Sequence, residues 1–259
     1  MKLTETQKIT YGALLIAVAV VFTLVAKLIP TGSLPYLRIS LTPGVIIFSS
    51  LFLGPIYGLA VGVCSDLIPA FVFPTGPYNF YVTIVYMLLG ILPWLLMQLT
   101  KRFRSKLRAP WIFYGLLLAV FLSLIGIFYG TDLLDSAFGD AVVWGKLVIL
   151  LIVLLLDGGL IVGLYYLDKT YQKNLLELSF RPSPNEIAFI SLLSEFFLMD
   201  LLKSLAFCLY LVTLGGSSDA AFSWIFAMTI LGSPANLFLS CFTVNLLYYL
   251  SELLIKNRS

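Results

Sequence analysis

The chain has 259 residues, 60% of them hydrophobic and only 11% charged, and its mean hydropathy of +1.02 excludes a soluble globular protein in favour of a polytopic membrane protein. A formal charge of +3 is too small to mark a nucleic-acid binder, and no nucleic-acid motif is present. Cys64, Cys208 and Cys241 lie in apolar segments without CxxC spacing, which argues against a disulfide framework or a zinc site. With no histidine, the commonest general base and metal ligand is missing as well, so neither a metal nor a cofactor is expected.

Polar residues up to Thr10 precede a first span, Tyr11 to Ile29, which is longer than the roughly 7 to 15 apolar residues of a cleavable signal. Within it Ala13 and Ala17 form an AxxxA pair, whose plain reading is close packing inside the bundle. Two apolar segments follow, Leu41 to Leu53 and Ile56 to Ala70, meeting at Gly54-Pro55. Each is shorter than the roughly 20 residues that cross a bilayer, so both must lean on protein neighbours. Gly54, Gly58 and Gly62 recur every four residues, a spacing that lets helix backbones approach in lipid. The stripe runs on to Asp66, a carboxylate that must be paired or face a cavity. Pro74, Gly76 and Pro77 then make a loop crowded by Phe71, Phe73, Tyr78, Phe80 and Tyr81, and an apolar cup with a few polar groups suits a small molecule.

A fourth span, Asn79 to Leu99, contains Pro93 and ends in a loop with five basic residues between Lys101 and Arg108. Trp111 to Gly130 and Ala141 to Leu167 are the fifth and sixth spans, flanking an acidic loop with Asp132, Asp135 and Asp140. Glu186 to Thr213 and Ala221 to Leu250 are the seventh and eighth. With both termini in the cytoplasm, twelve Lys and Arg fall inside and only Lys27, Arg38 and Lys146 outside, as the positive-inside rule requires.

Several polar residues invite two readings. Arg38, at the outer mouth, either snorkels to headgroups or offers a guanidinium fork to a substrate carboxylate. Asp66 either hydrogen-bonds a neighbouring helix or accepts from a ligand. Tyr78 and Phe80 either anchor the membrane interface or sandwich a flat heterocycle whose edge Asn79 reads. Asp200 and Lys203 share a helix face and suit an ion pair, whereas Glu195 lies about 140° from Asp200 on an α-helix and needs another partner. Asn236 and Asn245 suit interhelical hydrogen bonds. None of these groups forms an evident acid–base dyad or metal cluster.

LRIS before the second span, GPIYGLAVGVCSD across the third and FPTG before the fourth resemble the substrate-binding S component of energy-coupling factor (ECF) vitamin transporters, and within that family the folate-type subunits. The resemblance covers roughly residues 10 to 100 and, loosely, the last 75. It implies an all-α transmembrane bundle forming one membrane domain over residues 1–259. Its six-helix core comes from residues 1–110 and 185–259, with a two-helix hairpin inserted at 111–168 and a cytoplasmic loop at 169–184.

The function implied is vitamin binding rather than catalysis, with folate first and Arg38, Asp66, Phe73, Tyr78, Asn79 and Phe80 as the contact residues. The implied partners are a transmembrane coupling subunit and two ATPases, consistent with the absence of GxxxxGK[ST] from the chain. Ala13, Ala17, Gly58 and Gly62 would supply the smooth face on which the subunit turns against its partner. The alternatives are an S component for another vitamin or precursor (riboflavin, thiamine, pantothenate or a queuosine precursor), a membrane-embedded enzyme using Asp66, Asp200 and Lys203, and a proton-coupled carrier.

Overall fold

Helices form where the apolar runs place them. The computed structural model describes residues 4–28, 39–74, 77–102, 142–173, 182–214 and 219–256, with isolated helical positions between 115 and 126. In chain order these give α1 (Glu5–Leu28), α2 (Thr42–Leu53), α3 (Pro55–Val72), α4 (Phe80–Arg102) and α5 (Val142–Lys173). Then come α6 (Pro184–Ser194), a π-helical segment (Glu195–Leu202), α7 (Lys203–Thr213) and α8 (Asp219–Lys256). No strand occurs among the described residues. Five helical stretches are long and apolar enough to cross a bilayer, so the protein is an all-α, multi-pass membrane bundle. The fifth expected span, Trp111 to Gly130, falls largely outside the described residues, as do the acidic loop and the basic loop beyond Arg102.

The two short helices differ from expectation in one respect. Two further residues at its C-terminal end and Pro55 at its start bring α3 to 18 residues, within the range that crosses a bilayer. α2 stays at 12 residues, rising about 18 Å, and is the innermost helix. Ten of its residues are buried, and it packs against α1, α3, α4 and α8. Its last turn reverses at Gly54, whose φ of +105° lies in the region open to glycine, and Pro55 restarts the chain where a missing N–H costs nothing.

Glycines set how closely these helices lie. A Cβ on Gly58 would sit 2.2 Å from the carbonyl oxygen of Gly90, and one on Gly90 would sit 2.3 Å from that of Gly58. Gly62 meets the Tyr86 carbonyl oxygen in the same way at 2.3 Å, and Gly44 of α2 faces the backbone of Ser240 on α8 at 3.0 Å. This corrects the assignment of Gly58 and Gly62 to a partner face. Both are buried and used up by α4 and α2 within the chain. Ala13 and Ala17 do face outward, in a four-residue stripe with Ile9, Val21 and Val25.

The main apolar core joins α1 to α4 with α6 to α8 through residues such as Leu15, Ile46, Leu89, Ile187 and Val244. α5 stays outside it, contributing Leu160 and Leu164 to a second cluster with Ala188, Leu192 and Leu237. α6 starts at a capping box, where the Ser183 hydroxyl accepts from the Glu186 amide at 3.2 Å and the Glu186 carboxylate accepts from the Ser183 amide at 2.9 Å. The seventh span is then not one α-helix. Between Glu195 and Leu202 the hydrogen bonding shifts to the π pattern, and the Lys203 amide still donates to the Leu198 carbonyl, five residues back.

Candidate ligand-binding cavity

One end of the bundle holds a cavity of about 260 Å³. The ends of α1, α3 and α4, the entry to α2, the π segment and the middle of α8 all reach it. Its polar lining comes from Lys27, Ser40, Asp66, Asn79, Lys203 and Asn236, and Tyr78, Val82, Tyr86, Met199 and Phe207 supply aromatic and apolar wall. A wholly apolar groove of about 430 Å³ also runs between α4 and the π segment, past Leu92, Leu96, Leu193 and Phe197. It is larger, but it has no polar group to orient a ligand, so the smaller cavity is the candidate site.

The hydrogen bonds around the cavity explain why these side chains stand there. Lys27 Nζ donates to the carbonyls of Pro69 at 2.9 Å and Phe73 at 3.0 Å, closing the C-terminal end of α3. A cation there satisfies carbonyls that the helix leaves open and complements its dipole. Asp66 accepts a 2.5 Å hydrogen bond from the Thr83 hydroxyl, and that hydroxyl is in turn bonded to the phenol of Tyr78. The run Tyr78–Thr83–Asp66 therefore ties α3 to α4 at the cavity wall. Asn236 Oδ1 accepts from the Ser40 amide at 3.0 Å, an interhelical bond that fixes the entry of α2 against α8.

Of the residues expected to touch a ligand, the structure brings Asp66, Tyr78 and Asn79 together in this cavity. Asn79 also has a local duty: its Oδ1 accepts from the Tyr81 amide at 3.1 Å as the first turn of α4 begins, and its amide nitrogen lies 3.5 Å from the Ala206 carbonyl. Phe73 and Phe80 do not line the cavity, being 55% and 61% exposed. As α4 begins, Phe80 turns about 100° from Asn79 and points outward. The ring that stacks on Tyr78 is instead Phe71, at a centroid distance of 5.6 Å. Arg38 lies outside the described residues.

Lys27 carried no special mark in the sequence, because a lysine at the end of a span ordinarily snorkels. From the sequence, Lys203 suits an ion pair with Asp200 or a place in the enzyme alternative, and Asn236 an interhelical hydrogen bond; neither points to a vitamin contact. What unites them is the packing of α7 and α8 against the first four helices, which periodicity within one helix does not show. Compared with protein-family models, curated proteins and solved structures, the chain matched none.

Proposed function

We propose that the protein is the substrate-binding membrane subunit of an ECF-type importer for a vitamin, with folate as the first candidate, delivering its ligand together with a coupling subunit and two ATPases. The observation that carries this reading is the mixed lining of the cavity. Two ammonium groups, Lys27 and Lys203, stand in it with one carboxylate, Asp66, between aromatic walls. Such a set suits a flat heterocycle bearing carboxylates: the lysines attract the anionic part, and Asp66 accepts from an amino-substituted ring edge. At about 260 Å³ the cavity takes the ring system, and the remainder of folate extends through its mouth.

The charge distribution supports an outward-facing mouth. α4 runs from the cavity at Asn79 to the basic run beginning at Lys101 and Arg102, so cavity and basic loop are at opposite ends. With the basic loop in the cytoplasm, the cavity opens outside, where an importer's substrate arrives. The exposed Ala13–Ala17 stripe of α1 is the surface assigned to the coupling subunit, and the resemblance in the first hundred residues names that partner.

Calorimetric titration of the purified chain with folate, without partners, tests the binder reading. Submicromolar binding near one-to-one is expected. Saturable binding of another vitamin would keep the transporter and replace its substrate, whereas turnover of a substrate by the isolated chain would replace the transporter with an enzyme. Ala17→Trp separates the two surfaces: it is expected to abolish uptake in cells carrying the whole importer while leaving folate affinity within about twofold of the parent, since Ala17 lies away from the cavity. Loss of binding by the purified variant would contradict the assignment of α1 to the partner.

A further inference from the structure

The π segment buries two carboxylates in the bundle interior. Glu195 is 1% exposed and Asp200 is 2% exposed. Where bonds run from residue i to i+5, side chains five apart come to lie nearly in line along the helix. Glu195 and Asp200, far apart in angle on an α-helix, are thereby brought toward one side and feel each other's charge. Around Glu195 the surroundings are rich in oxygen. Ser240 of α8 donates a 2.5 Å hydrogen bond to Glu195 Oε1, and Ser191, fully enclosed, stands four residues before it on α6 and so on the same face.

Two carboxylate oxygens here lack a partner: Glu195 Oε2 and Asp200 Oδ2 are buried with no hydrogen-bond partner among the described residues. A buried carboxylate with an open oxygen is costly inside a membrane unless a positive species stands at it. We propose that Glu195, with the hydroxyls of Ser191 and Ser240, binds a small monovalent cation, a proton or a sodium ion.

The chemistry fits both sources. Hard oxygen ligands suit sodium, and a single proton on Glu195 would equally neutralise the buried carboxylate. The charged and titratable groups acting on the pair are limited. Lys203 acts along the same helix, and Cys241 of α8 feels Glu195. Ser233 of α8 hydrogen-bonds to Asp200, which draws that second carboxylate toward a partner of its own. Glu186 sits more than two turns away at the start of α6, and Lys101 and Arg102 close the end of α4. The position matters for function, because Met199 and Asn236 line the ligand cavity one helical turn from Glu195 and Ser240 respectively. Occupancy of the cation site thus bears on a shared wall, though the site stands independently of which ligand the cavity takes.

The experiment uses the full chain in lipid nanodiscs, in sodium chloride or choline chloride at equal ionic strength, from acidic to mildly alkaline pH. Thermal unfolding and the infrared band of protonated carboxyl groups are read for the parent and for Glu195→Gln. If sodium is the ion, it raises the unfolding temperature of the parent relative to choline, and Glu195→Gln loses that rise. If the ion is a proton, the parent shows in choline a protonated-carboxyl band that titrates, and the band is missing in Glu195→Gln. A variant that keeps both responses of the parent overturns the proposal, as does a parent that shows neither. Should Glu195→Gln not fold, Ser240→Ala keeps the carboxyl and removes its one donor. It is expected to shift the half-saturating sodium or proton concentration by about tenfold, the effect of one charge-assisted hydrogen bond, and an unmoved midpoint overturns the assignment.

Discussion

Gly58→Ala is expected to destabilise the bundle by about 3 kcal/mol or more, enough to leave little monodisperse protein after detergent extraction. The added methyl would stand 2.2 Å from the Gly90 carbonyl oxygen and 2.8 Å from Cα of Ser50. Both are backbone atoms, so no rotamer change relieves the clash. α3 would have to withdraw from α4 and α2 together, opening gaps along contacts that include Gly62 against Tyr86. In lipid, close packing is the main force holding helices together, so such gaps are not offset by a hydrophobic gain. Gly163→Ala in α5 is the control, because among the described residues nothing lies within 4 Å of the Cβ it would add. There the helix preference of alanine should give no loss and a gain of up to about 1 kcal/mol. Thermal unfolding of both variants decides the matter. Equal stability of Gly58→Ala and the parent would show that the helices do not meet back to back.

Lys203→Met should weaken folate binding by about 10-fold to 100-fold, the effect of removing one ammonium partner from a carboxylate in a partly enclosed site. Methionine keeps most of the stem volume, so packing against Phe207 and Met199 in the cavity wall is little changed. Lys27 is the less suitable position to change, because it also closes the end of α3 through two carbonyls. A pterin without the glutamate tail supplies the comparison. Its affinity should fall far less, since it lacks the carboxylates that Lys203 is proposed to attract. If calorimetry gave parent-like folate affinity for Lys203→Met, the lysine would have to be a structural cation, and the anionic-ligand reading would lose its main support.

The helices were legible in the sequence because hydrophobic length is a direct signature of a span, and Gly54-Pro55 marks its own turn. The glycine stripe was legible as a packing surface, yet which neighbour it meets was not. Gly90 is a lone glycine in α4, and only the three-dimensional pairing shows that it completes Gly58. Half of the candidate site was visible for a similar reason. Asp66, Tyr78 and Asn79 lie close together in the chain around one loop, whereas Lys27, Lys203 and Asn236 arrive from three other helices. Phe80 was misplaced because a cluster in sequence fans out by about 100° per residue once a helix begins. Glu195 does find a partner other than Asp200, in Ser240, but the angle between the two carboxylates differs from the α-helical count because the chain winds more loosely there.

The innermost position of α2 has a consequence for how the chain is made. At 12 residues this helix cannot hold itself across a hydrocarbon layer about 30 Å thick, and it must enter the membrane as one hairpin with α3, whose 18 residues suffice. Even then the bare face at Gly44 has no enclosure until α8 arrives from the ribosome to lie against it and to bring Asn236 to Ser40. The candidate cavity is therefore incomplete in every nascent chain that stops short of α8.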